Sequence, residues 1–171
     1  MDKVREGLEK FSGVDRRFQL KGRANGVTVI DDYGHHPTEI RATLAAARQC
    51  GFSRIHVIFQ PHRYTRTQLL LEDFAKAFRD ADSITVLDIY TANEAPICGV
   101  TGELLAERIK LQGKAHAGYS PSFAEAAELA GKNARPGDLV LTLGAGNVVQ
   151  LGPLVLEQLE RRAAVKVAPR C

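Results

Sequence analysis

The chain of 171 residues lacks the features of membrane, secreted and disulfide-bonded proteins. No apolar run approaches the roughly 20 residues that a membrane-spanning helix needs, and the N-terminus has no apolar signal segment. The three cysteines, Cys50, Cys98 and Cys171, form no Cys-x-x-Cys pair, which argues against a disulfide framework or a zinc knuckle. We therefore expect a protein of the cytoplasm.

The chain also lacks the common motifs that hold nucleotide phosphates or activate a nucleophile. The Gly-Lys pairs at 113–114 and 131–132 have no glycine five residues upstream and no serine or threonine after them, so there is no Walker A loop. There is no Gly-x-Ser-x-Gly elbow and no His-Glu-x-x-His pair. If a nucleotide is used, we expect another domain to hold most of its phosphate groups.

Composition indicates one globular domain with a substantial core. The hydrophobic content of 44% and the charged content of 25% are ordinary, and the length suits a single domain. The net charge of +3 is weak and the basic residues are scattered, without a basic and aromatic platform. We expect no nucleic acid partner.

Hydrophobic periodicity alternates between short strands and amphipathic helices along the chain. This alternation predicts an α/β fold, a Rossmann-like and mostly parallel sheet with helices on both faces. No internal domain boundary is indicated. We predict strands at 27–30, 55–59, 83–87 and 138–143, a short strand at 115–117 and an edge strand at 17–21, with helices at 37–50, 66–78, 102–111, 122–134 and 147–162.

Polar clusters follow four of the predicted strands. They are DDYGHHPTE at 31–39, QPHRYTR at 60–66, DIYTANE at 88–94 and GAGN at 144–147. The segments before the strands are bland by comparison. Because the carboxyl ends of parallel strands share one edge of a sheet, we expect these clusters to form a ligand-binding cleft there.

Two arginines in the second cluster suit an anion clamp. Arg63 and Arg66 are three residues apart at the start of a predicted helix, so they can share a face. A guanidinium pair beside a helix N-terminus is suited to a carboxylate or a phosphate. The alternative interpretation is two solvated arginines on a helix surface.

The first and second clusters also contain potential metal ligands. A metal-dependent phosphoesterase could use Asp31, Asp32, His35 and His62. However, no histidine lies four residues from another in a predicted helix, so we predict no protein-bound metal and expect the histidines to hydrogen-bond to a ligand.

The GAG loop at 144–146 is similar to a dinucleotide-binding loop but departs from it in two ways. Val149 stands where the last glycine of that motif belongs, and the loop lies near the end of the chain. Close backbone packing or approach to a phosphate suits this loop better than NAD binding.

Four stretches together resemble the C-terminal domain of the Mur ligase family. They are DDYGHHPTEI at 31–40, QPHRYTRT at 60–67, APICG at 95–99 and LGAGN at 143–147. The resemblance places this domain at 13–171, with 1–12 as a tail from an interdomain region. The stretch HRYTR at 62–66 favours the alanine-adding branch of the family over the sister ligase that recycles a murein tripeptide.

The resemblance implies an ATP-dependent ligase of peptidoglycan precursor synthesis. It would join L-alanine to UDP-N-acetylmuramate with ATP and Mg²⁺, which the central domain of the family mainly holds. This chain would bind the amino acid and close over the ATP site, and alone it would be inactive. The alternative is a stand-alone module that binds an anion or a nucleotide without catalysis.

The resemblance also implies roles for individual residues. Arg63 and Arg66 would hold the alanine carboxylate, with His62 alongside. Tyr33 and His35 would line the amino-acid pocket. Asp32 and His36 would reach the ATP ribose, and Arg17 would contact the phosphates.

Overall fold

The computed structural model of the chain describes residues 15–113 and 115–167, and the side chains up to residue 162. The predicted tail at 1–12 lies outside this range. Within it, six strands form one sheet in the order β1-β2-β6-β3-β4-β5. The strands are β1 (Gln19–Ala24), β2 (Val27–Asp32), β3 (Ile55–Phe59), β4 (Ser83–Val86), β5 (His116–Tyr119) and β6 (Leu139–Leu143).

The sheet is parallel except at one edge, as the sequence predicts. β1 pairs antiparallel with β2, and the other pairs are parallel. The helices are α1 (Pro37–Gln49), α2 (Tyr64–Leu69), α3 (Leu71–Ala77), α4 (Gly102–Leu111), α5 (Phe123–Asn133) and α6 (Leu151–Val167). The α/β fold class is confirmed.

Alternating side chains of the strands fill two separate cores, one on each face of the sheet. In β3, Val57 and Phe59 join one core, whereas Ile58 between them joins the other. The first core packs under α1, α3 and α4, and the second under α5 and α6. Since α1 follows β2 on one face and α6 follows β6 on the other, the chain leaves two neighbouring strands in opposite directions. Such a switch point is where ligands bind in open α/β sheets.

The helix predicted at 66–78 is wrong in one respect, because the structure divides it. The helical run ends at Leu70, where φ is −111° and ψ is 21°, and α3 begins at the next residue. Leu69, which lies within the predicted helix, is 81% exposed. The break separates α3, whose Phe74 packs into the core, from α2, which lies beside the polar turns. No glycine or proline marks this break, so the apolar spacing alone suggested one helix.

Other boundaries differ by a few residues. The last helix begins as a 3₁₀ turn at Asn147–Gln150, and Pro153 falls within the first turn of α6, where its missing N–H is tolerated. β5 ends at Tyr119, beyond the predicted strand. Thr101 caps α4 by accepting a hydrogen bond from the Leu104 N–H at 3.0 Å. The turn at 25–26 joins β1 to β2, with φ of 52° and 74°.

The amino ends of the strands carry a buried polar network that the sequence did not indicate. His56 Nδ1 lies 2.7 Å from Ser83 Oγ, and His56 Nε2 lies 3.1 Å from Asp138 Oδ2. Asp138 also accepts hydrogen bonds from Arg54 at 2.8 Å and from the Arg135 N–H at 2.8 Å. Burial opposes ionisation of Asp138, but these donors outweigh it and lower the pKa of the carboxyl. The network fixes the ends of β3, β4 and β6 to one another.

The start of α4 lies against the backbone that follows β4. A Cβ built on Gly102 overlaps the carbonyl oxygen of Leu87 and lies 3.3 Å from Tyr119 Cε2. We predict that Gly102→Ala lowers the free energy of unfolding by about 1–3 kcal/mol, because backbone must move to admit the methyl group. Urea unfolding of the chain measures this.

Gly118→Ala is the matched control, because a Cβ there meets nothing within 4 Å. Gly118 lies in β5 and is exposed, so the added methyl group should leave stability unchanged or slightly raised. Equal stabilities for the two variants would contradict the close contact at Gly102.

Candidate functional site

The predicted clusters after β2, β3 and β4 meet at one edge of the sheet through a row of rings. The centroids of Tyr33 and His35 are 5.1 Å apart, and those of His35 and His62 are 5.6 Å apart. The row ends on Tyr90, which stacks on His62 at 5.5 Å. The row brings together residues that are distant in the sequence, and it confirms the predicted edge.

The GAG loop after β6 joins this edge through Gln60. The Gln60 amide donates to Asn147 Oδ1 at 2.8 Å and accepts from the Val148 N–H at 3.1 Å. A Cβ on Gly146 would lie 2.5 Å from Gln60 Oε1 and 2.7 Å from Tyr90 Cγ. The loop therefore needs glycine for close packing against the site, as the packing interpretation of this loop predicted.

The β2 turn is fixed by a capping box at the start of α1. His36 is the exposed N-cap residue, and its Nδ1 accepts from the Thr38 N–H at 3.3 Å. Glu39 Oε2 accepts from the backbone N–H groups of His35 at 3.0 Å and His36 at 3.1 Å. Burial opposes ionisation of Glu39, but these two bonds and nearby positive charge lower the pKa of its carboxyl.

The two acids of the β2 turn are buried and bonded within the chain. Asp32 Oδ1 accepts from the Gly34 N–H at 2.8 Å and from Thr43 Oγ1 at 3.1 Å. Asp32 Oδ2 accepts from the Phe18 N–H at 2.8 Å. With 5% exposure, Asp32 organises the turn in this structure, and its contact with a ribose stays a prediction.

Arg16 is an organising residue that the sequence analysis missed. Its Nε donates to Asp31 Oδ2 at 3.0 Å, and its terminal nitrogens donate to the carbonyl oxygens of Gly144 at 2.5 Å and Gly146 at 3.3 Å. The Asp31 side chain has 0% exposure, and Thr142 Oγ1 donates to its other oxygen at 2.7 Å. Arg16 thus ties the segment before β1 to both β2 and the GAG loop.

Arg17, the neighbour of Arg16 and the predicted phosphate ligand, points to solvent. Its guanidinium carbon lies 5.5 Å from the centroid of Tyr33, and its side chain is 52% exposed. It stands 4.0 Å from Glu39 Oε1. The two adjacent arginines therefore have different roles, and no feature of the sequence distinguishes them.

His62 is partly buried between rings and guanidinium groups. Burial lowers the pKa of its imidazole, and the charges of His35, Arg66 and Arg63 lower it further, against a smaller opposite effect of Glu94. His62 Nδ1 lies 3.5 Å from Arg66 NH1. At neutral pH the ring is therefore uncharged, with Nδ1 facing the guanidinium of Arg66.

The two arginines of the predicted clamp lie at the start of α2. Arg63 precedes the helix with φ of 73° and ψ of 137°, a conformation that costs about 1–3 kcal/mol for a residue with a side chain. The Arg63 side chain is 50% exposed, and Arg66 is partly buried beside His62. Backbone strain of this kind is often found at functional sites.

Glu94, in the turn after β4, is a second residue that had no predicted role. Its Oε1 accepts from Thr65 Oγ1 at 2.7 Å, and its Oε2 accepts from the Thr65 N–H at 3.1 Å. It lies 3.9 Å from Arg63 NH1. Its place in the third polar cluster was the available signal, but no motif pointed to it.

The residues considered for a metal-dependent phosphoesterase do not form a metal site in the described ranges. Among residues 15–113 and 115–167, no three His, Cys, Asp or Glu side chains are grouped so that they could hold a metal ion. The carboxylate oxygens of Asp31 and Asp32 accept hydrogen bonds from donors within the protein.

The edge is suited to a small ligand that carries a negative charge. Arg17, Arg63 and Arg66 supply positive charge, whereas the nearby acids are engaged by protein donors. The rings of Tyr33, His35 and His62 supply an adjacent surface with polar tips. Across the part of the chain that the structure describes, no helix is long and apolar enough to cross a membrane.

Comparison with protein families gives one match over most of the chain. The family described as "Mur ligase, glutamate ligase domain" matches residues 16–146. A UDP-N-acetylmuramate–L-alanine ligase of Koribacter versatilis is 63% identical over 168 residues, which are 98% of this chain and 35% of that protein. The chain thus spans about a third of the length of the curated relatives it matches.

Solved structures of related ligases share the fold. The UDP-N-acetylmuramate–alanine ligase of Thermotoga maritima matches 92% of this chain and 33% of its own, with a TM-score of 0.73 and 29% identity. A domain from Haemophilus ducreyi, described as part of a UDP-N-acetylmuramate:L-alanyl-γ-D-glutamyl-meso-diaminopimelate ligase, matches 84% of this chain and 99% of its own. Its TM-score is 0.62 and its identity 26%.

The buried Arg16–Asp31 pair makes a stability prediction. Arg16→Met leaves the Asp31 carboxylate buried beside Thr142 without its cation, so we expect the free energy of unfolding to fall by about 3 kcal/mol. Arg17→Met is the matched control and should change it by less than about 0.5 kcal/mol. Urea unfolding of the chain measures both, and equal values would contradict the assignment of Arg16.

The surroundings of His62 predict its titration. Its ring should titrate below the usual value of 6.5, and Arg66→Gln should raise the pKa by removing a nearby positive charge. Because the folded pKa is depressed, the stabilising effect of the neutral ring is present above about pH 6.5 and is lost as the pH falls below it. Ring-proton NMR against pH measures the shift.

Arg41→Gln serves as the control for this titration. Arg41 lies on α1 and contacts Thr38, so its removal should leave the pKa of His62 unchanged. A His62 ring that titrates above 6.5, or one that ignores Arg66→Gln, would contradict the proposed surroundings.

Proposed function

Because the chain belongs to the family of the Mur ligase glutamate ligase domain, we propose that it is the amino-acid-binding domain of an ATP-dependent ligase that joins L-alanine to UDP-N-acetylmuramate. The observation that carries the proposal is the high identity to alanine-adding ligases along nearly the whole chain. The reaction would serve peptidoglycan precursor synthesis.

In this reaction ATP phosphorylates the lactyl carboxylate of the sugar substrate. The amine of alanine then attacks the acyl phosphate, an amide bond forms, and inorganic phosphate leaves. The chain has no Walker A loop, so the phosphates of ATP would be held mainly by a part of the protein outside it. The present domain would bring in the amino acid and close over that site. Alone, the chain would bind but not catalyse.

Arg63 and Arg66 would bind the carboxylate of alanine. Both lie at the start of α2 on the edge where the polar turns meet, and two guanidinium groups give charge-assisted hydrogen bonds to a carboxylate. The strained backbone of Arg63 supports a role that glycine could not fill.

The neutral state of His62 suits a pocket for an amino acid. The alanine amine enters as an ammonium group, and an uncharged imidazole does not repel it. His62 also presents Nδ1 to Arg66, which orients that guanidinium. Tyr33 and His35 would line the same pocket, since their rings continue the row from His62.

Asp32, His36 and Arg17 would face ATP in the closed state. His36 and Arg17 are exposed beside the β2 turn, as a group that meets another domain must be. Asp32 Oδ2 accepts one hydrogen bond here and keeps capacity for a ribose hydroxyl. Mg²⁺ would act with ATP and, as the resemblance implies, would be held mainly by the part of the protein outside this chain.

The murein-tripeptide ligase is the second candidate, favoured by the 26% identity to the Haemophilus ducreyi domain. The curated relatives at 46–63% identity carry the alanine-adding name, and this supports the first candidate. Turnover of UDP-N-acetylmuramate with L-alanine, compared with its turnover with the tripeptide, separates the two.

The clamp predicts a kinetic effect specific to alanine. In the full-length protein that carries this chain, Arg66→Ala should reduce kcat/KM for L-alanine by about 10- to 100-fold, because a charge-assisted contact contributes about 1.5–3 kcal/mol. Arg63→Ala should act in the same direction. Steady-state phosphate release with alanine as the varied substrate measures both variants.

Arg108→Ala is the matched control, since Arg108 pairs with Glu72 on the outer surface of α4 and α3. It should leave the alanine kinetics unchanged. Unchanged kcat/KM for alanine in Arg66→Ala would overturn the clamp. A wild-type protein that releases no phosphate with L-alanine would overturn the proposed reaction.

A further inference from the structure

The turn after β4 holds the backbone of the turn after β3. The N–H of Arg63 donates to the Tyr90 carbonyl at 2.9 Å, and the N–H of Tyr90 donates to the Pro61 carbonyl at 2.8 Å. His62 and Tyr90 also form a parallel β-bridge. The two turns are therefore in register beyond the ends of their strands, and the second supports the strained Arg63.

The helix that follows Arg63 has no cap of its own. Arg63 is the N-cap residue of α2, but its side chain caps no backbone N–H. Glu94 supplies the missing acceptor from the β4 turn, because its carboxylate accepts both the N–H and the hydroxyl of Thr65. A negative charge at this position is also favourable for the helix dipole.

We propose that Glu94 is a positioning residue of the carboxylate clamp. It fixes the first turn of α2 through Thr65 and holds the guanidinium of Arg63 near 3.9 Å, so that Arg63 and Arg66 are arranged before the amino acid arrives. The inference rests on the proposed function, because the clamp matters only if this edge binds an amino-acid carboxylate. Groups arranged in advance bind with less loss of side-chain freedom.

The distances indicate that Glu94 supports Arg63 and does not compete with the substrate carboxylate for its guanidinium. If Glu94 occupied the place of the substrate carboxylate, its short contacts would go to the guanidinium. Instead its short contacts, at 2.7 and 3.1 Å, go to Thr65, and Arg63 NH1 lies further away. The bonds from Thr65, together with the nearby charge of Arg63, lower the pKa of the Glu94 carboxyl.

The test measures alanine kinetics of Glu94→Ala, Glu94→Gln and Thr65→Val in the full-length protein. Glu94→Ala should raise KM for L-alanine at least tenfold, with kcat and the KM values for ATP and the sugar substrate within about threefold. Glu94→Gln keeps an oxygen for Thr65 and loses the charge, so it should raise KM less. Thr65→Val removes one of the two bonds to Glu94. Its KM for L-alanine should also lie between the values of the wild type and of Glu94→Ala.

A second measurement uses the chain itself. In NMR spectra Glu94→Ala should move the amide signals of Arg63 and Thr65, and a titration with L-alanine or acetate should show weaker binding to the Arg66 side chain. Glu72→Gln is the control in both measurements, because Glu72 pairs with Arg108 away from the four turns. It should behave as the wild type.

The outcomes separate the inference from the proposed function. A wild-type protein without alanine-dependent turnover overturns the function. An alanine-dependent wild type with an unchanged KM in Glu94→Ala overturns the inference, and so do unmoved Arg63 and Thr65 signals. A lower KM in Glu94→Ala also overturns it, since that result means that Glu94 competes for Arg63. An equal rise of KM for all substrates means a general structural defect and counts against positioning.

Discussion

The ion pair between Arg16 and Asp31 connects segments of the site that are far apart in the sequence. Asp31 lies next to the last residue of β2, and Arg16 reaches from the segment before β1 to the GAG loop after β6. A buried carboxylate without a cation is costly, so these three segments are held together strongly. The ring row and the clamp lie on the edge that this pair assembles.

The charged groups of the site are of two kinds. The acids Asp31, Asp32, Glu39 and Glu94 accept hydrogen bonds from the protein and determine the shape of the turns. The cations Arg17, Arg63 and Arg66 are less constrained and partly exposed. Acids that are bonded within the protein therefore fix the framework, and the positive charge stays available for a ligand. The neutral His62 fits this division, because it adds a polar surface without adding charge.

Sequence periodicity and turn chemistry predicted the fold class, the four polar turns and their common edge. These follow from local rules, since parallel strands place their carboxyl ends together. Contacts set by three-dimensional packing could not be predicted. The break at Leu70 has no breaker residue, and the difference between Arg16 and Arg17 depends on which guanidinium reaches Asp31. Likewise Glu94 gained a role only when the β4 turn was placed beside Thr65.

The position of β6 has a consequence for how the protein is made. Among the described residues, β6 is the last strand in sequence order, yet it lies between β2 and β3 in the sheet. During synthesis from the N-terminus, β2 and β3 emerge before β6 and have no partner between them until residues 139–143 leave the ribosome. A nascent or truncated chain that stops before β6 exposes two hydrophobic strand edges, and these are prone to aggregate. Because of this order of strands, the sheet cannot be completed until the final quarter of the chain has been synthesised.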